Sequence, residues 1–193
     1  MKYLIHLKPN DELSEKISEY RGQIKEFVTK IPENALHCTI MRVYSNKENQ
    51  EGIINKLSGI HQEEFKVLAG ELDLFDESSL AIKLRKSREL SSLHQKVIKA
   101  METFIDWDET PEIIPAYRRN KKRAKIYASY GSPYYSIFYN PHIAIAHVRQ
   151  EIIESPDFDK KFFSRSEWHI EEFYLSKKEG EIWKSIRRFP LRA

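Results

Sequence analysis

Two histidines that begin similar apolar segments are the residues best suited to chemistry. The segments cover residues 37–43 and 142–148, and each has isoleucine three places and valine six places after its histidine. Imidazole has an unperturbed pKa of about 6.5, so near neutral pH one histidine accepts a proton while another donates one. Chance is the competing explanation, because the chain has seven histidines and short apolar strands resemble one another.

Strand periodicity adds a hydroxyl to the first histidine. Residues two apart on a strand share a face at roughly 6–7 Å, so His37 and Thr39 would both contact one phosphate. With His142 on a facing strand, one neutral imidazole would activate the attacking water or hydroxyl, and the other, protonated, would protonate the leaving oxygen. This chemistry requires no metal and no cofactor.

The tetrapeptide His37-Cys38-Thr39-Ile40 resembles the signature of the 2H phosphoesterase superfamily. That signature is histidine, any residue, threonine or serine, and an apolar residue, and it occurs twice on strands. The superfamily includes bacterial 2′-5′ RNA ligase-like proteins and eukaryotic cyclic phosphodiesterases. The resemblance implies a bilobal α+β fold, with antiparallel sheets flanking a central cleft, helices packed outside and one motif in each lobe.

The resemblance also implies a reaction and a partner. The expected activity is metal-independent hydrolysis or transesterification of a 2′,3′-cyclic phosphate or a 2′-5′ linkage, and the expected partner is RNA or a nucleotide. His37 and His142 would be the acid/base pair and Thr39 would orient the phosphate. Which histidine is the acid depends on the polarity of the substrate.

The second motif departs from the signature at Ala144, where the superfamily has threonine or serine. One hydrogen bond to the phosphate is lost, which is worth roughly 1.5–3 kcal/mol, or tenfold or more in rate or affinity. Altered substrate choice, or a water in the gap, is one explanation. A domain that binds RNA or a nucleotide with little turnover is the alternative function. A structural or interaction domain with incidental histidines is the third hypothesis.

Two aromatic residues and a basic run flank the second motif. Tyr135 and Phe138 are candidates for stacking on a base, although closely spaced aromatic residues usually belong to a core. Residues 117–125 form the densest run of positive charge. A solvated helix face is its simpler interpretation, and a phosphate-contacting patch beside the cleft is the alternative.

Three residues of the motifs are expected on the opposite face of their strands. Alternation turns Cys38 away from His37, which favours a small buried side chain over a Cys-His nucleophile. Alternation also turns Arg42 away from the His37 face. It separates His147 from His142 unless a bulge intervenes, which argues against a metal pair.

The hydrophobic periodicity predicts elements without a regular βαβ rhythm, which favours an α+β fold. We predict strands over residues 2–7, 36–44, 65–75, 80–84, 142–148, 168–176 and 182–189. We predict helices from Asn10 to Ile31, over 48–57, around Leu90–Phe104 and over 117–130, and a short helical piece over 158–163.

The bulk composition is that of an ordinary globular protein. The 193 residues fit one domain, 1–193, and the net charge is only +3. One cysteine excludes an internal disulfide, and no apolar run approaches the roughly 18 residues of a membrane span. We therefore expect a cytoplasmic monomer with no membrane partner.

Overall fold

The computed structural model describes residues 1–75 and 78–192, so Asp76 and Glu77 of the predicted turn lie outside the described residues. The strands are β1 (Lys2–Leu7), β2 (Val28–Lys30), β3 (Cys38–Tyr44), β4 (Phe65–Phe75), β5 (Ser79–Leu84), β6 (His142–Val148), β7 (Glu167–Ile170), β8 (Glu172–Glu179) and β9 (Ile182–Pro190). The helices are α1 (Asp11–Gln23), α2 (Gln50–Ser58), α3 (Arg88–Met101), α4 (Pro115–Arg118) and α5 (Lys121–Tyr130).

The strands of the described residues form one antiparallel sheet with two halves. Its order is β7-β4-β5-β6-β3-β1-β8-β9, and β2 pairs with β6 off this path. The halves β7-β4-β5-β6 and β3-β1-β8-β9 meet at β6 and β3, the strands that carry the two histidine motifs. The predicted bilobal α+β class with antiparallel pairing is therefore confirmed.

The two central strands meet briefly and then separate. Within the described residues, Cys38 opposite Ile143 is the one ladder pair between β3 and β6. Beyond it, β6 pairs with β2, while the edge of β3 is occupied by side chains. The Tyr139 hydroxyl donates to the carbonyl of Thr39 at 3.2 Å. The Tyr135 hydroxyl accepts from the N–H of Arg42 at 2.9 Å and donates to the carbonyl of the same residue.

Each central strand contains a β-bulge at the same distance from its histidine. On β3, Ile40 lies between Met41, the partner of Ile5, and Thr39, the partner of His6, and both Ile40 and Met41 are buried in the core. On β6, the register shifts between the partners of Leu80 and Ala81, and the adjacent residues 145 and 146 are both buried. One extra residue on each strand therefore points into the core.

Side chains from the helices hydrogen-bond to the two bulges. The Nδ1–H of His94 on α3 donates to the carbonyl of Ile40 at 2.9 Å, and its Nε2 accepts from the N–H of Ser136 at 3.0 Å. The Nε–H of Arg21 on α1 donates to the carbonyl of Ile145 at 2.7 Å. Helix α1 thus follows β1 and contacts β6 in the other half. Helix α3 follows β5 and contacts β3 in the other half.

Several predicted boundaries are confirmed and others differ. Strands β1 and β6 have the predicted limits, and Asn10 caps α1 by accepting from the N–H of Leu13. Helix α1 ends at Gln23 rather than Ile31, because residues 28–30 pair with β6 as β2. The predicted basic helix is divided into α4 and α5, and Asn120 caps the second part.

Two further predictions fail near the end of the sheet. The predicted strand over 168–176 is divided between β7 and β8, which lie at different places in the sheet. Residues 158–163 form turns rather than a helical piece. None of the helices that the structure describes combines the length and apolar character needed to cross a membrane.

Two buried histidines predict how stability depends on pH. Burial lowers the pKa of His6 to about 3 and that of His94 to about 4, so the unfolded chain binds these protons first. Their contribution is complete above pH 6.5 and is lost as the pH falls from 6.5 towards 4. Each histidine should cost about 1.4 kcal/mol per pH unit in that window, measured by urea unfolding.

The variant His94→Gln isolates one of these contributions from the titration of carboxylates. Its free energy of unfolding should fall less steeply with decreasing pH, by about 1.4 kcal/mol per unit. The matched control is His61→Gln at an exposed position, which should keep the wild-type slope. A wild-type slope in His94→Gln would contradict the prediction.

Candidate active site

The two motifs lie side by side at the junction of the two halves. Cys38 and Ile143 are opposite each other and both are fully buried, so they face the core. Their sequence neighbours therefore project from the other face, which is open between the halves. The residues on this motif face are His37, Thr39, His142 and Ala144.

Both motif histidines are held by the same hydrogen bond. The Nδ1–H of His37 donates to the carbonyl of Ala35 at 2.8 Å, and that of His142 donates to the carbonyl of Asn140 at 2.8 Å. In each case the acceptor is two residues before the histidine. This bond fixes the tautomer and makes Nε2 the nitrogen available for proton transfer.

The bulges bring two more side chains to the motif face. On the neighbouring strand β1, Leu4 and His6 share a face, and their partners are Arg42 and Thr39. Arg42 therefore lies on the face of His37, and the expectation from simple alternation is wrong. His147 likewise reaches the face of His142, because its partner Ser79 shares a face of β5 with Ala81, the partner of Ala144.

The electrostatic surroundings of His37 favour its neutral form. Burial is the largest cause that lowers its pKa, and the positive charges of Arg42 and His142 lower it further. The hydrogen bond to the Ala35 carbonyl opposes these effects but does not outweigh them. A neutral imidazole with a free Nε2 is suited to accept a proton.

The half of the sheet that carries His37 is polar and basic. His6 lies opposite Thr39, with its ring centroid 5.6 Å from that of His37 and its Nε2 at 2.9 Å from the hydroxyl of Ser176. Lys8 follows directly after the end of β1, and its Nζ lies 4.0 Å from the ring centroid of Tyr174. A phosphate on this side would therefore meet hydroxyl groups and positive charge.

The half that carries His142 is different. Ala144 lies opposite Ala81, so two methyl groups occupy the area that holds Thr39 and His6 in the other half. Phe75 stacks on His142 with centroids 4.6 Å apart and planes at 23°. Lys83 lies opposite His142 and is paired with Asp73 at 2.6 Å. The floor beside His142 is therefore apolar, with one cation at its margin.

The structure does not bring the two predicted stacking residues to the motif face. Tyr135 is buried, and its hydroxyl is bound to the backbone of Arg42. Phe138 lies under the guanidinium of Arg123, which is 4.0 Å from the ring centroid. Sequence reasoning missed Lys8 and Lys83, since only the pairing of β1 with β3 and of β5 with β6 places them beside the histidines.

A substitution of Arg42 tests the arrangement on β3. In Arg42→Met the positive charge is removed while most of the aliphatic stem remains, so the pKa of His37 should rise towards its ordinary value. An NMR titration of the imidazole resonances measures this change, with Arg88→Met on α3 as the matched control. An unchanged His37 pKa in Arg42→Met would show that the guanidinium does not act on the imidazole.

Comparisons with known proteins show which solved structures share this fold. No protein-family model matches the sequence, and a search of curated proteins also found no match. Among solved structures, a phosphoesterase is 14% identical with a TM-score of 0.66, and the match covers 100% of this chain and 99% of that chain. Escherichia coli LigT complexed with 3′-AMP is also 14% identical with a TM-score of 0.66, over 100% of this chain and 98% of LigT.

A eukaryotic protein has the same architecture. Usb1 from Kluyveromyces marxianus is 12% identical with a TM-score of 0.55, and the match covers 98% of each chain. At such low sequence identity the structural similarity establishes the fold alone, and this fold agrees with the resemblance that the two motifs indicated. The chain has the fold of the 2H phosphoesterases.

Proposed function

We propose that this protein is a metal-independent phosphoesterase that hydrolyses a 2′,3′-cyclic phosphate or a 2′-5′ linkage of RNA or a nucleotide. The observation that carries the proposal is the matched pair His37 and His142. His37 immediately precedes β3 and His142 begins β6. Both donate Nδ1–H to the carbonyl two residues earlier, and both lie on one open face. LigT has been crystallised with 3′-AMP and Usb1 with uridine monophosphate, which supports a nucleotide ligand.

The surroundings of each histidine support an assignment of roles. Burial and nearby positive charge lower the pKa of His37, so His37 is the base that takes a proton from the attacking water. His142 is then the acid that donates a proton from Nε2 to the leaving oxygen. Each histidine ends the step in the opposite protonation state, and exchange with solvent restores the pair.

The phosphate is held mainly by the half of the site that carries His37. Thr39 donates its hydroxyl, and Arg42 and Lys8 supply positive charge on the same face. Arginine and lysine stabilise the negative charge that develops on the non-bridging oxygens of the transition state. The floor of Ala81 and Ala144 on the other side adjoins the nucleoside and offers the phosphate no hydrogen bond.

A binding module is the second candidate function, and Ala144 is the observation that favours it. A site with one motif hydroxyl holds a phosphate less firmly, which reduces turnover more than it reduces occupancy by a nucleotide. Turnover of a nucleoside 2′,3′-cyclic phosphate, and the gain in turnover from Ala144→Thr, separate the two candidates.

Removal of either histidine should abolish turnover. We expect His37→Ala and His142→Ala each to reduce kcat for nucleoside 2′,3′-cyclic phosphates in EDTA by about 10²–10⁴. The wild-type pH–rate profile should be bell-shaped, and its acid limb should depend on His37. His61→Ala is the matched control and should retain wild-type kcat, with circular dichroism confirming the fold. Comparable activity in all three variants would exclude the two-histidine mechanism.

The two motif positions after the histidines allow a reciprocal test. Thr39→Val removes the hydroxyl that orients the phosphate and should lower kcat/KM about tenfold. Ala144→Thr restores the second hydroxyl and should raise kcat/KM by a similar factor. The double variant should return close to the wild-type value. No gain from Ala144→Thr alone would mean that the second half does not contact the phosphate.

A further inference from the structure

We infer that α4 and α5 form a docking surface for single-stranded RNA that continues from the phosphate in the cleft. This inference rests on the proposed function, because it assigns the polymer rather than the mononucleotide as the preferred substrate. It depends on the juxtaposition of a concentrated basic surface, exposed aromatic rings and the strand that carries Arg42. We call residues 115–134 the basic platform.

The basic platform concentrates positive charge that the rest of the chain does not have. Six of the eight residues over 118–125 are lysine or arginine, and residues 115–130 contain no acidic residue. The net charge of the whole chain is only +3, so without this run the chain would be negative. Arg118 of the platform forms a long, solvent-exposed ion pair with Glu112 at 3.5 Å.

The lysines of α5 are presented to solvent rather than used for packing. None of the ten described residues of α5 is fully buried, although the helix is well capped by Asn120 and ends at Gly131 with a φ of 69°. Lys121, Lys122 and Lys125 are all exposed on it. A capped helix that has no fully buried residue and displays cations is suited to contact a phosphate backbone.

Aromatic rings lie among these cations. The guanidinium of Arg123 is 4.8 Å from the ring centroid of Tyr117 and 5.7 Å from that of Tyr134. Tyr117 and Tyr134 meet edge to face at 5.2 Å, and Tyr134 is 51% exposed. Trp107 nearby is 47% exposed and contacts Tyr127. Exposed aromatic rings beside cations are the surface on which unpaired bases stack, so RNA fits better than an acidic protein.

The platform is attached directly to the strand of the first motif. Tyr135, the next residue after the platform, binds both backbone groups of Arg42 through its hydroxyl. Arg42 is five residues beyond His37, roughly 16 Å along an extended strand. A mononucleotide bound at His37 does not reach the platform, which meets β3 at the backbone of Arg42, whereas the preceding nucleotides of an RNA chain do.

The test compares a polymer with a monomer on one active site. The variant is the triple charge reversal Lys121→Glu, Lys122→Glu and Lys125→Glu. The substrates are an oligoribonucleotide of about ten residues ending in a 2′,3′-cyclic phosphate and the matching nucleoside 2′,3′-cyclic monophosphate. We expect KM for the oligonucleotide to rise tenfold or more and its dependence on salt to flatten. The kinetics of the monophosphate should not change.

The matched control reverses three exposed lysines of the helical side, Lys47, Lys56 and Lys99. It changes the net charge equally and should leave KM for both substrates at the wild-type value. Circular dichroism and the thermal midpoint verify that each variant folds. The corresponding glutamine triple variant replaces the charge reversal if that protein does not fold, with an expected rise in KM of about threefold or more.

Direct binding separates failure of this inference from failure of the proposed function. Fluorescence anisotropy with the same oligonucleotide ending in a 3′-phosphate measures RNA affinity without turnover. Loss of affinity in the platform variant alone supports the docking surface even if no substrate is hydrolysed. Equal RNA affinity in the variant and the wild type, or no RNA binding at low salt, overturns the inference. The proposed function is still supported in that case if the wild type hydrolyses the nucleoside cyclic monophosphate. An acidic protein would then be the remaining class of partner.

Discussion

The paired β-bulges of the two central strands are the constraint on which the site depends. Without the extra residue at Ile40, alternation would turn Arg42 into the core, where an unpaired guanidinium is very costly to bury. The bulge places a second apolar residue in the core instead and returns Arg42 to the face of His37. The bulge on β6 has the same effect on His147.

A bulge leaves backbone groups without ladder partners, and the helices are placed to satisfy them. The carbonyl of Ile40 accepts from His94, and the carbonyl of Ile145 accepts from Arg21. Burial lowers the pKa of both side chains. Helix α1 follows β1 in one half of the sheet, and its Arg21 binds β6 in the other half. Helix α3 follows β5, and its His94 binds β3 across the junction. The two halves are thereby tied together behind the cleft, while their front faces stay open.

The sequence contained the motifs but not the register that completes the site. Strand alternation was sufficient to place Thr39 beside His37 and to turn Cys38 inward. The faces on which Arg42 and His147 lie could not be predicted from the sequence. A bulge depends on the register with the partner strand, and the extra residues Ile40 and Ile145 are apolar like their neighbours in the core. Lys8 and Lys83 depend on the pairing of strands distant in sequence. The sequence suggests that Tyr135 is a surface residue that stacks on a base. In the structure its hydroxyl instead hydrogen-bonds to the backbone of Arg42 at the unpaired edge of β3, which the sequence alone does not reveal.

The scaffold holds the two histidines alike, so a difference between their proposed roles must come from the residues that surround them. Their Nδ1 bonds have equal length and equivalent acceptors, and neither bond favours one histidine as the acid. The difference arises beside them: His37 has Thr39, Arg42 and buried neutral His6, whereas His142 has Phe75 and the two alanines. Positive charge next to a buried imidazole disfavours its protonation, and the same charge attracts the phosphate. In the proposed mechanism the same local charge therefore attracts the phosphate and favours His37 as the base. His142, on the apolar side, is then the proton donor to the leaving oxygen of the ribose.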